Sequence, residues 1–418
     1  MSDTAYRAAA PDYLHAALIL GSFALFATAH LVHYPVALMS VLGVAAVVRE
    51  PARLREPGVR TLLLLFACIW LPMLAALPDA VAPTRTQKTV LLYLHLLPAA
   101  IYLAGACARP EVLRLVTQGV VVLVVFAGLD AFAQLIWHED FFGYPYEDGI
   151  LKGLFYPKQR LGLFLALFAP LVIDVVRAWC RQYPPLWLLH LPLLIVVLVS
   201  LKRSAWLMLG VGLFGYAFVV RRAHDGRPAL RAWHVLLLVA IAGVAVATNP
   251  PLRNQIATSA GLFSGDAAAF DRASAYRLTL WRDGLAMFAD NWLNGVGPRG
   301  YRSAYAEYAA ADDFWLERSG GHGQTHPHQM TIEVAAECGV IGLAGLAMFY
   351  VVAFGAWRRL AGQPSSPVWM LCALVAWFPL NAHLAFYGSY WSTLVWMLLA
   401  IALARLPQTP PEQLRQAA

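Results

Sequence analysis

Charged residues are scarce in this sequence, and their scarcity excludes an ordinary soluble domain. Asp, Glu, Lys and Arg make up 13% of the 418 residues, whereas hydrophobic residues make up 60%. A typical soluble domain contains about 25% charged residues. The apolar residues instead form recurrent runs, and roughly 17–25 such residues are needed to cross a bilayer core as a helix. The composition therefore predicts an all-α, polytopic membrane protein.

Cysteine is also rare, and its five occurrences show no pattern that binds a metal or builds a disulfide framework. Cys68, Cys107, Cys180, Cys338 and Cys372 all lie in or beside apolar runs, and no pair has CxxC spacing. Zinc sites and disulfide frameworks are recognised by such regular spacings. We therefore predict that these cysteines are small buried hydrophobic residues.

Twelve apolar runs are predicted to be membrane-spanning helices. They are residues 13–30, 33–49, 61–78, 87–106, 113–137, 160–179, 186–201, 204–220, 232–248, 331–357, 367–384 and 388–405. The chain is thereby divided into spans one to nine within residues 1–248, a large loop at residues 249–330, and the last three spans with a tail in residues 331–418. Because a structureless loop of that length is uncommon, we expect short amphipathic helices in it, for example at Ala273–Asp290.

Lys and Arg are concentrated on one side of this topology. Four arginines fall within residues 49–60, in one short connection. Positively charged loops mark the cytoplasmic side, so both termini are predicted to be cytoplasmic, including a disordered tail at Pro407–Ala418. Residues 137–159 and 249–330 are then predicted to face outward. The net charge of +7 follows mainly from this bias, and it does not indicate nucleic-acid binding.

Two histidines stand at the end of the large loop, directly before the tenth span. His326 and His328 flank Pro327, and an imidazole exchanges a proton near neutral pH. From the residues alone, three interpretations remain open. The pair is a metal site together with His322 and Glu333, or it contains a general base, or both histidines are ordinary loop residues.

A basic pair and a separate arginine lie on the predicted outward side. Lys202 and Arg203 stand between two apolar spans, where charges are costly and often functional. Arg277 lies in the large loop, and its guanidinium has the planar donor geometry that suits phosphate oxygens. The alternatives are that Lys202 extends its ammonium to phospholipid headgroups and that Arg277 is an ordinary exposed arginine.

These segments, taken in order, resemble the O-antigen ligases of Gram-negative inner membranes, within the wider superfamily of O-antigen ligases and polymerases. The span pattern, with one large outward loop before the last three spans, is similar as well. The motifs that carry the resemblance are Lys202-Arg203-Ser204, Tyr276–Trp281, Asn294–Pro298, His326–Gln329 and Glu337–Gly342.

The resemblance implies a GT-C-like, metal-independent glycosyltransferase without a cofactor. Such an enzyme moves O-antigen polysaccharide from undecaprenyl diphosphate to lipid A-core, at the periplasmic face of the bacterial inner membrane. By motif match, Arg203 and Arg277 correspond to the arginines that engage the diphosphate, with Lys202 beside Arg203. His328 corresponds to the catalytic histidine. His326 and Gln329 are given supporting roles, and Gln329 stands where family members often have asparagine.

Other functions share some of these features. An O-antigen polymerase or a protein O-oligosaccharyltransferase would use the same class of donor. A transporter of an anionic lipid-linked glycan would use the arginines to bind its cargo without bond cleavage. It should show half-repeats with interrupted helices near the bilayer midplane, whereas the charged residues here gather at one face. A metal-dependent membrane hydrolase is the remaining alternative.

Overall fold

The computed structural model describes residues 10–28, 30–147, 149–223, 232–360, 363, 365–381 and 384–407. Within these residues the regular structure is eighteen α-helices and five short 3₁₀ helices, and β-structure is limited to two isolated bridges between residues 139 and 150. The predicted all-α class is therefore confirmed. The predicted tail beyond Pro407, at residues 408–418, lies outside the described residues.

The helices of the first half are α1 (Ala10–Leu25), α2 (His33–Arg49), α3 (Pro57–Ala75), α4 (Pro83–Leu94), α5 (Leu96–Cys107), α6 (Pro110–Trp137), α7 (Leu161–Trp179), α8 (His190–Val199), α9 (Arg203–Ala223) and α10 (Ala232–Thr248). The predicted large loop contains α11 (Pro250–Ser259), α12 (Ala267–Ala273), α13 (Arg277–Asp290), α14 (Tyr301–Tyr308) and α15 (Phe314–Arg318). The chain continues with α16 (Met330–Arg359), α17 (Ser366–Ala376) and α18 (Ser389–Leu403). Short helices in the large loop were expected, and the one predicted from Ala273 begins at Arg277.

Every predicted span overlaps a helix, but the helices differ in length. Five described stretches are long and apolar enough to cross a membrane: α3, the α4–α5 pair, α6, α7 and α16. Six further apolar helices, including α17 and α18, are shorter. The number of twelve spans, the three-part division of the chain and the GT-C-like arrangement stay predictions.

The predicted span 367–384 is much shorter than the sequence indicates. Its helix, α17, ends at Ala376, and turns follow at Trp377 and at Pro379. Proline has no backbone N–H to donate and clashes with the preceding helical turn. The apolar run therefore leaves the helix early and supplies a connection that approaches the end of the large loop.

Apolar side chains cover part of the outer surface. Leu38, Val41, Val44 and Val48 recur along one face of α2 and are 50–73% exposed. The opposite side of α2 packs against α5. A contiguous apolar face of this kind is unusual on a soluble monomer, and it suits contact with lipid hydrocarbon.

The interior is closely packed with large side chains. Trp369, Trp377 and Trp396 are fully buried where α17 and α18 meet the other helices. Three of the cysteines, Cys107, Cys338 and Cys372, are buried as predicted, whereas Cys68 and Cys180 are half-buried. None of the five forms a disulfide.

The backbone of α16 is interrupted at Gly339, which has φ 62° and ψ −156°. The interruption frees backbone groups that bond to the glycine-rich segment before α14. The amide of Val340 donates to the carbonyl of Trp292 at 2.8 Å, and the amide of Val296 donates to the carbonyl of Ala336 at 2.9 Å. Non-helical backbone at membrane depth is tolerated where protein satisfies its hydrogen bonds.

Two glycines allow the backbone of α16 and the glycine-rich segment before α14 to come this close. A Cβ atom on Gly339 would lie 2.4 Å from the backbone of Leu293, and one on Gly295 would lie 2.4 Å from the backbone of Glu337. Both glycines also have positive φ, which other residues adopt at a cost. The motifs Asn294–Pro298 and Glu337–Gly342 are therefore two sides of one contact.

Candidate active site

The connections that the sequence predicts to face outward meet at one end of the helices. The amide of Val81, between α3 and α4, donates to the carbonyl of Val296 at 3.0 Å. The ammonium of Lys202 donates to the side-chain oxygen of Gln159. These contacts agree with a topology in which the segments share one side. Which side of a membrane this is stays a prediction.

The histidine pair forms a compact unit. The rings of His326 and His328 have centroids 4.0 Å apart, and the hydroxyl of Thr325 lies 2.9 Å from Nδ1 of His326. His328 has a φ of 50°. A non-glycine residue with positive φ is uncommon, and such backbone often occurs at functional sites. The surrounding contacts must hold this conformation in place.

Gln329 provides one of those contacts as the N-cap of α16. Its side-chain oxygen accepts from the amide of Ile332 at 2.6 Å, and its nitrogen donates to the carbonyl of Pro379 at 2.9 Å. The amide of Met330 donates to the carbonyl of Asn381 at 3.2 Å. The supporting role given to Gln329 thus corresponds, in the structure, to fixing the histidine segment against the connection after α17.

Helix α13 contacts the histidine segment from the other direction. The indole of Trp281 donates to the carbonyl of Pro327 at 3.1 Å. Arg277 lies four residues before Trp281, so both side chains share one face of the helix. The start of α13 is itself fixed, because the indole of Trp315 donates to the carbonyl of Tyr276 at 2.8 Å. Arg277 therefore lies on the side of α13 that contacts the histidines.

Three positive charges come together near Arg277. Burial lowers the pKa of the Arg277 guanidinium to about 10, and the charge of Arg203 contributes to this lowering. Burial also lowers the pKa of Lys202, with a second contribution from Arg277. Within the described part of the chain, none of the three forms an ion pair with a carboxylate. Like charges that are half-buried near one another are unfavourable, and a bound polyanion would offset that cost.

Two buried carboxylates on α16 hold the adjoining segments. Glu337 accepts from the amides of Arg299 at 2.6 Å and Tyr301 at 3.2 Å. Glu333, one turn earlier, accepts from the amide of Phe386 at 3.0 Å. The positive charge of Arg299 acts on both carboxylates. No role was predicted for Glu337 from the sequence, although its four-residue spacing from Glu333 on an apolar helix was a readable signal.

Replacing Glu337 is expected to destabilise this contact strongly. Glu337→Ala leaves two buried amides without an acceptor, and each costs about 1–3 kcal/mol, so we expect a loss of roughly 2–6 kcal/mol. Glu337→Gln keeps one acceptor oxygen and should lose less. Thermal unfolding of the purified protein measures the effect, with Glu307→Ala on the exposed face of α14 as the control. Equal midpoints for Glu337→Ala and Glu307→Ala would contradict the anchoring role.

A cavity of about 450 Å³ opens beside the histidine pair. Its wall includes Arg85, Lys88, Arg160, Arg299, Thr325 and His326, together with residues of the connection 384–391. The four cations come from three distant parts of the chain, and this group was not predicted from the sequence. The available signal was that Arg85, Lys88 and Arg160 lie on the predicted outward side, where Lys and Arg are sparse.

Most of the predicted site residues lie outside the wall of this cavity. Of the six, only His326 contributes to it. His328 packs against the His326 ring, and Gln329 caps α16. The charges of Lys202, Arg203 and Arg277 form a separate group that reaches the histidines through α13. The histidine segment therefore shares the cavity wall with one cationic group, and the hydrogen bond from Trp281 links it to the helix that carries Arg277 of the other.

The metal-site interpretation of the histidines finds no matching arrangement in the described residues. No group of three His, Cys, Asp or Glu side chains is suitably placed there to hold a metal ion. Glu333, one of the suggested ligands, accepts backbone amides from the connection before α18. Its carboxylate is thereby occupied by a structural role.

Comparison with known proteins gives one family match. Residues 188–347 match the model of a family described as O-antigen ligase. The matched region runs from just before α8 into α16 and contains Lys202, Arg203, Arg277 and both histidines. A search of curated proteins gives no match. The family match confirms the prediction made from the motifs and supports membership of the chain in the O-antigen ligase family.

Proposed function

We propose that the protein transfers O-antigen polysaccharide from undecaprenyl diphosphate to a sugar hydroxyl of lipid A-core, at the periplasmic face of the bacterial inner membrane. The family match supports an activity of the O-antigen ligase or polymerase type. The observation that carries the proposal is the hydrogen bond between the histidine segment and α13, which links the segment of the candidate base to the helix that begins with Arg277.

In the proposed reaction, the hydroxyl oxygen of the acceptor attacks the anomeric carbon of the donor sugar. The bond from that carbon to the phosphate oxygen breaks, and its electron pair leaves with undecaprenyl diphosphate. The hydroxyl proton passes to the neutral imidazole of His328. Direct displacement inverts the configuration at the anomeric carbon. General-base assistance of this kind typically contributes about 10²–10⁴-fold.

The cations of Lys202, Arg203 and Arg277 would stabilise the leaving diphosphate. Charge develops on the phosphate oxygens as the bond breaks, and preorganised donors in a partly dehydrated site stabilise that charge more than water does. The half-buried position of Arg277 and the mutual repulsion of the group favour a highly charged anion at this place. No cofactor or metal is required by this mechanism.

A strain that lacks the gene distinguishes the proposal from its nearest alternatives. Loss of the whole lipopolysaccharide ladder, with polymer retained on the carrier lipid, is expected for a ligase. A single repeat on the core would instead identify a polymerase, and an intact ladder would exclude both. With purified components, transfer that persists in a chelator would exclude a metal-dependent enzyme, and a transporter would leave the glycan on its carrier.

A further inference from the structure

The cavity beside His326 has a strongly positive wall. Arg85, Lys88, Arg160 and Arg299 all line it, and no described Asp or Glu does. Partial burial lowers the pKa of Arg302, and the charges of Arg85 and Arg299 lower it further. Arg302 therefore belongs to the same positive region. Repulsion among these side chains is therefore part of the cavity's electrostatics.

Two of the lining arginines have buried donors that lack an acceptor. Nη1 of Arg160 and Nη1 of Arg299 are both buried without a hydrogen-bond partner. A buried unsatisfied donor is costly, and more so when it is charged. The rest of the Arg160 guanidinium is held in place over the ring of Tyr390, 3.9 Å from the ring centroid. Because these two atoms have almost no accessible surface, they add to the electrostatic cost of the positive wall, and the exposed Arg85 and Lys88 are the donors that an occupant can reach.

The carboxylates on which Arg299 acts do not neutralise the cavity wall. Glu333 and Glu337 feel the charge of Arg299, but both accept backbone amides and neither lines the cavity. The wall therefore offers several cationic donors to whatever occupies the cavity. Phosphate and carboxylate groups match such donors best, because their bonds to guanidinium are charge-assisted.

We propose that this cavity binds phosphate or carboxylate groups of the acceptor glycolipid, as a site separate from the diphosphate site at Lys202, Arg203 and Arg277. The inference rests on the proposed transfer reaction. In a direct displacement, the nucleophile and the leaving group lie on opposite sides of the anomeric carbon. The acceptor and the donor diphosphate therefore need separate sites on the two sides of the anomeric carbon, with the catalytic base on the acceptor side.

The contacts of the histidine segment fit that requirement. His326 lines the cavity, while the carbonyl of Pro327 is bound by Trp281 on the helix of Arg277. His328 packs against the His326 ring. An acceptor held by its anionic groups at Arg85 and Lys88 would thus bring a nearby hydroxyl toward the histidines. Its charge would also set its orientation before the donor sugar arrives.

The test measures separate KM values for acceptor and donor with full-length protein in phosphatidylcholine nanodiscs. Arg85→Gln/Lys88→Gln is the main variant, because both side chains are on exposed positions of α4. Its KM for intact lipid A-core should rise about tenfold or more, since a tenfold change corresponds to one lost interaction of about 1.4 kcal/mol. Its KM for the donor should stay within about twofold. Lys158→Gln removes the same kind of charge from an exposed position outside the cavity wall and is the matched control.

A second acceptor makes the result specific. With lipid A-core from which the core phosphates have been removed, the KM of wild type should rise as it does in the double variant with intact acceptor. Combining the double variant with this acceptor should raise the KM little further, because both changes remove the same interaction. An unchanged acceptor KM in the double variant, or a rise in the donor KM instead, would overturn the proposal while leaving the transfer reaction intact.

Two further measurements distinguish an acceptor site from a phospholipid site and from a failure of transfer itself. Binding of intact acceptor without donor, measured on wild type and the double variant, reports on the cavity even if no transfer is observed; equal affinities would overturn the proposal.

Nanodiscs that contain phosphatidylglycerol test whether the cavity instead binds the headgroup of a bilayer phospholipid. If that lipid raises the acceptor KM of wild type to the level of the double variant, the cavity belongs to a phospholipid phosphate and the acceptor assignment is wrong.

Discussion

His328→Ala is expected to lower kcat for glycan transfer by about 10²–10⁴-fold, the usual contribution of a general base. The acceptor hydroxyl must lose its proton as it attacks, and the variant has no group to receive it. Affinity for the donor should be nearly unchanged, because the diphosphate is assigned to the separate group of cations around Arg277. Single-turnover transfer together with donor binding measures both effects.

The backbone at His328 calls for a second variant. Its φ of 50° is tolerated better by asparagine than by most residues. His328→Asn therefore keeps the local conformation while removing the titratable ring, and it should be as inactive as His328→Ala. His322→Ala, an exposed histidine of the same loop, is the matched control and should retain activity.

His326 gives the decisive comparison. It lines the cavity and contacts Thr325, so an orienting role predicts a smaller loss for His326→Ala than for His328→Ala. A larger loss at His326, with substantial turnover in His328→Ala, would transfer the base assignment to His326. Near wild-type turnover in both variants would contradict the mechanism.

Arg203→Lys and Arg277→Lys are each expected to lower kcat/KM for the donor by roughly 10–100-fold, although the charge is kept. A lysine ammonium cannot reproduce the bidentate fork of a guanidinium, and hydrogen bonds to charged groups contribute about 1.5–3 kcal/mol. The two positions are far apart in sequence, but the charge of Arg203 acts on Arg277 in the structure. Steady-state kinetics with varied donor measures the loss.

The double variant tests whether both arginines act on one diphosphate. Residues that share a ligand show coupled effects, whereas independent sites show additive ones. We therefore expect Arg203→Lys/Arg277→Lys to differ clearly from the sum of the single losses, and additive losses would argue for two separate sites. Arg253→Lys is the control in the same loop, since Arg253 lies at an exposed position of α11.

The all-α class and the position of most helices were determined by the sequence alone. Hydrophobic runs of membrane length form helices because unpaired backbone groups are too costly in hydrocarbon, and this holds for α3, α6, α7 and α16 without reference to neighbours. The residue types that titrate near neutral pH or have phosphate-binding geometry were likewise readable, which made the histidine pair and Arg277 candidates; the choice of His328 came from the family resemblance, and its role stays a prediction.

Other features depend on contacts between distant segments. Gly339 is a common residue in apolar helices, and only the docking of residues 292–297 makes it interrupt α16. The span predicted at 367–384 ends early, before Pro379, which the sequence shows, but the hydrogen bonds from Gln329 and Thr331 to the carbonyl of Pro379 that fix the following connection arise only in the fold. Hydropathy averages over a window and does not detect such partners.

The cationic cavity is the clearest case in which tertiary structure decided the outcome. Arg85, Arg160 and Arg299 are separated by more than 70 residues from one another along the chain, and each looks unremarkable in its own segment. Their common function arises from the packing of α4, the start of α7 and the turn before α14 around one space. Electrostatic interaction depends on distance in space and on burial, neither of which is encoded locally, so the sequence determined which side chains were available and the fold determined which of them act together.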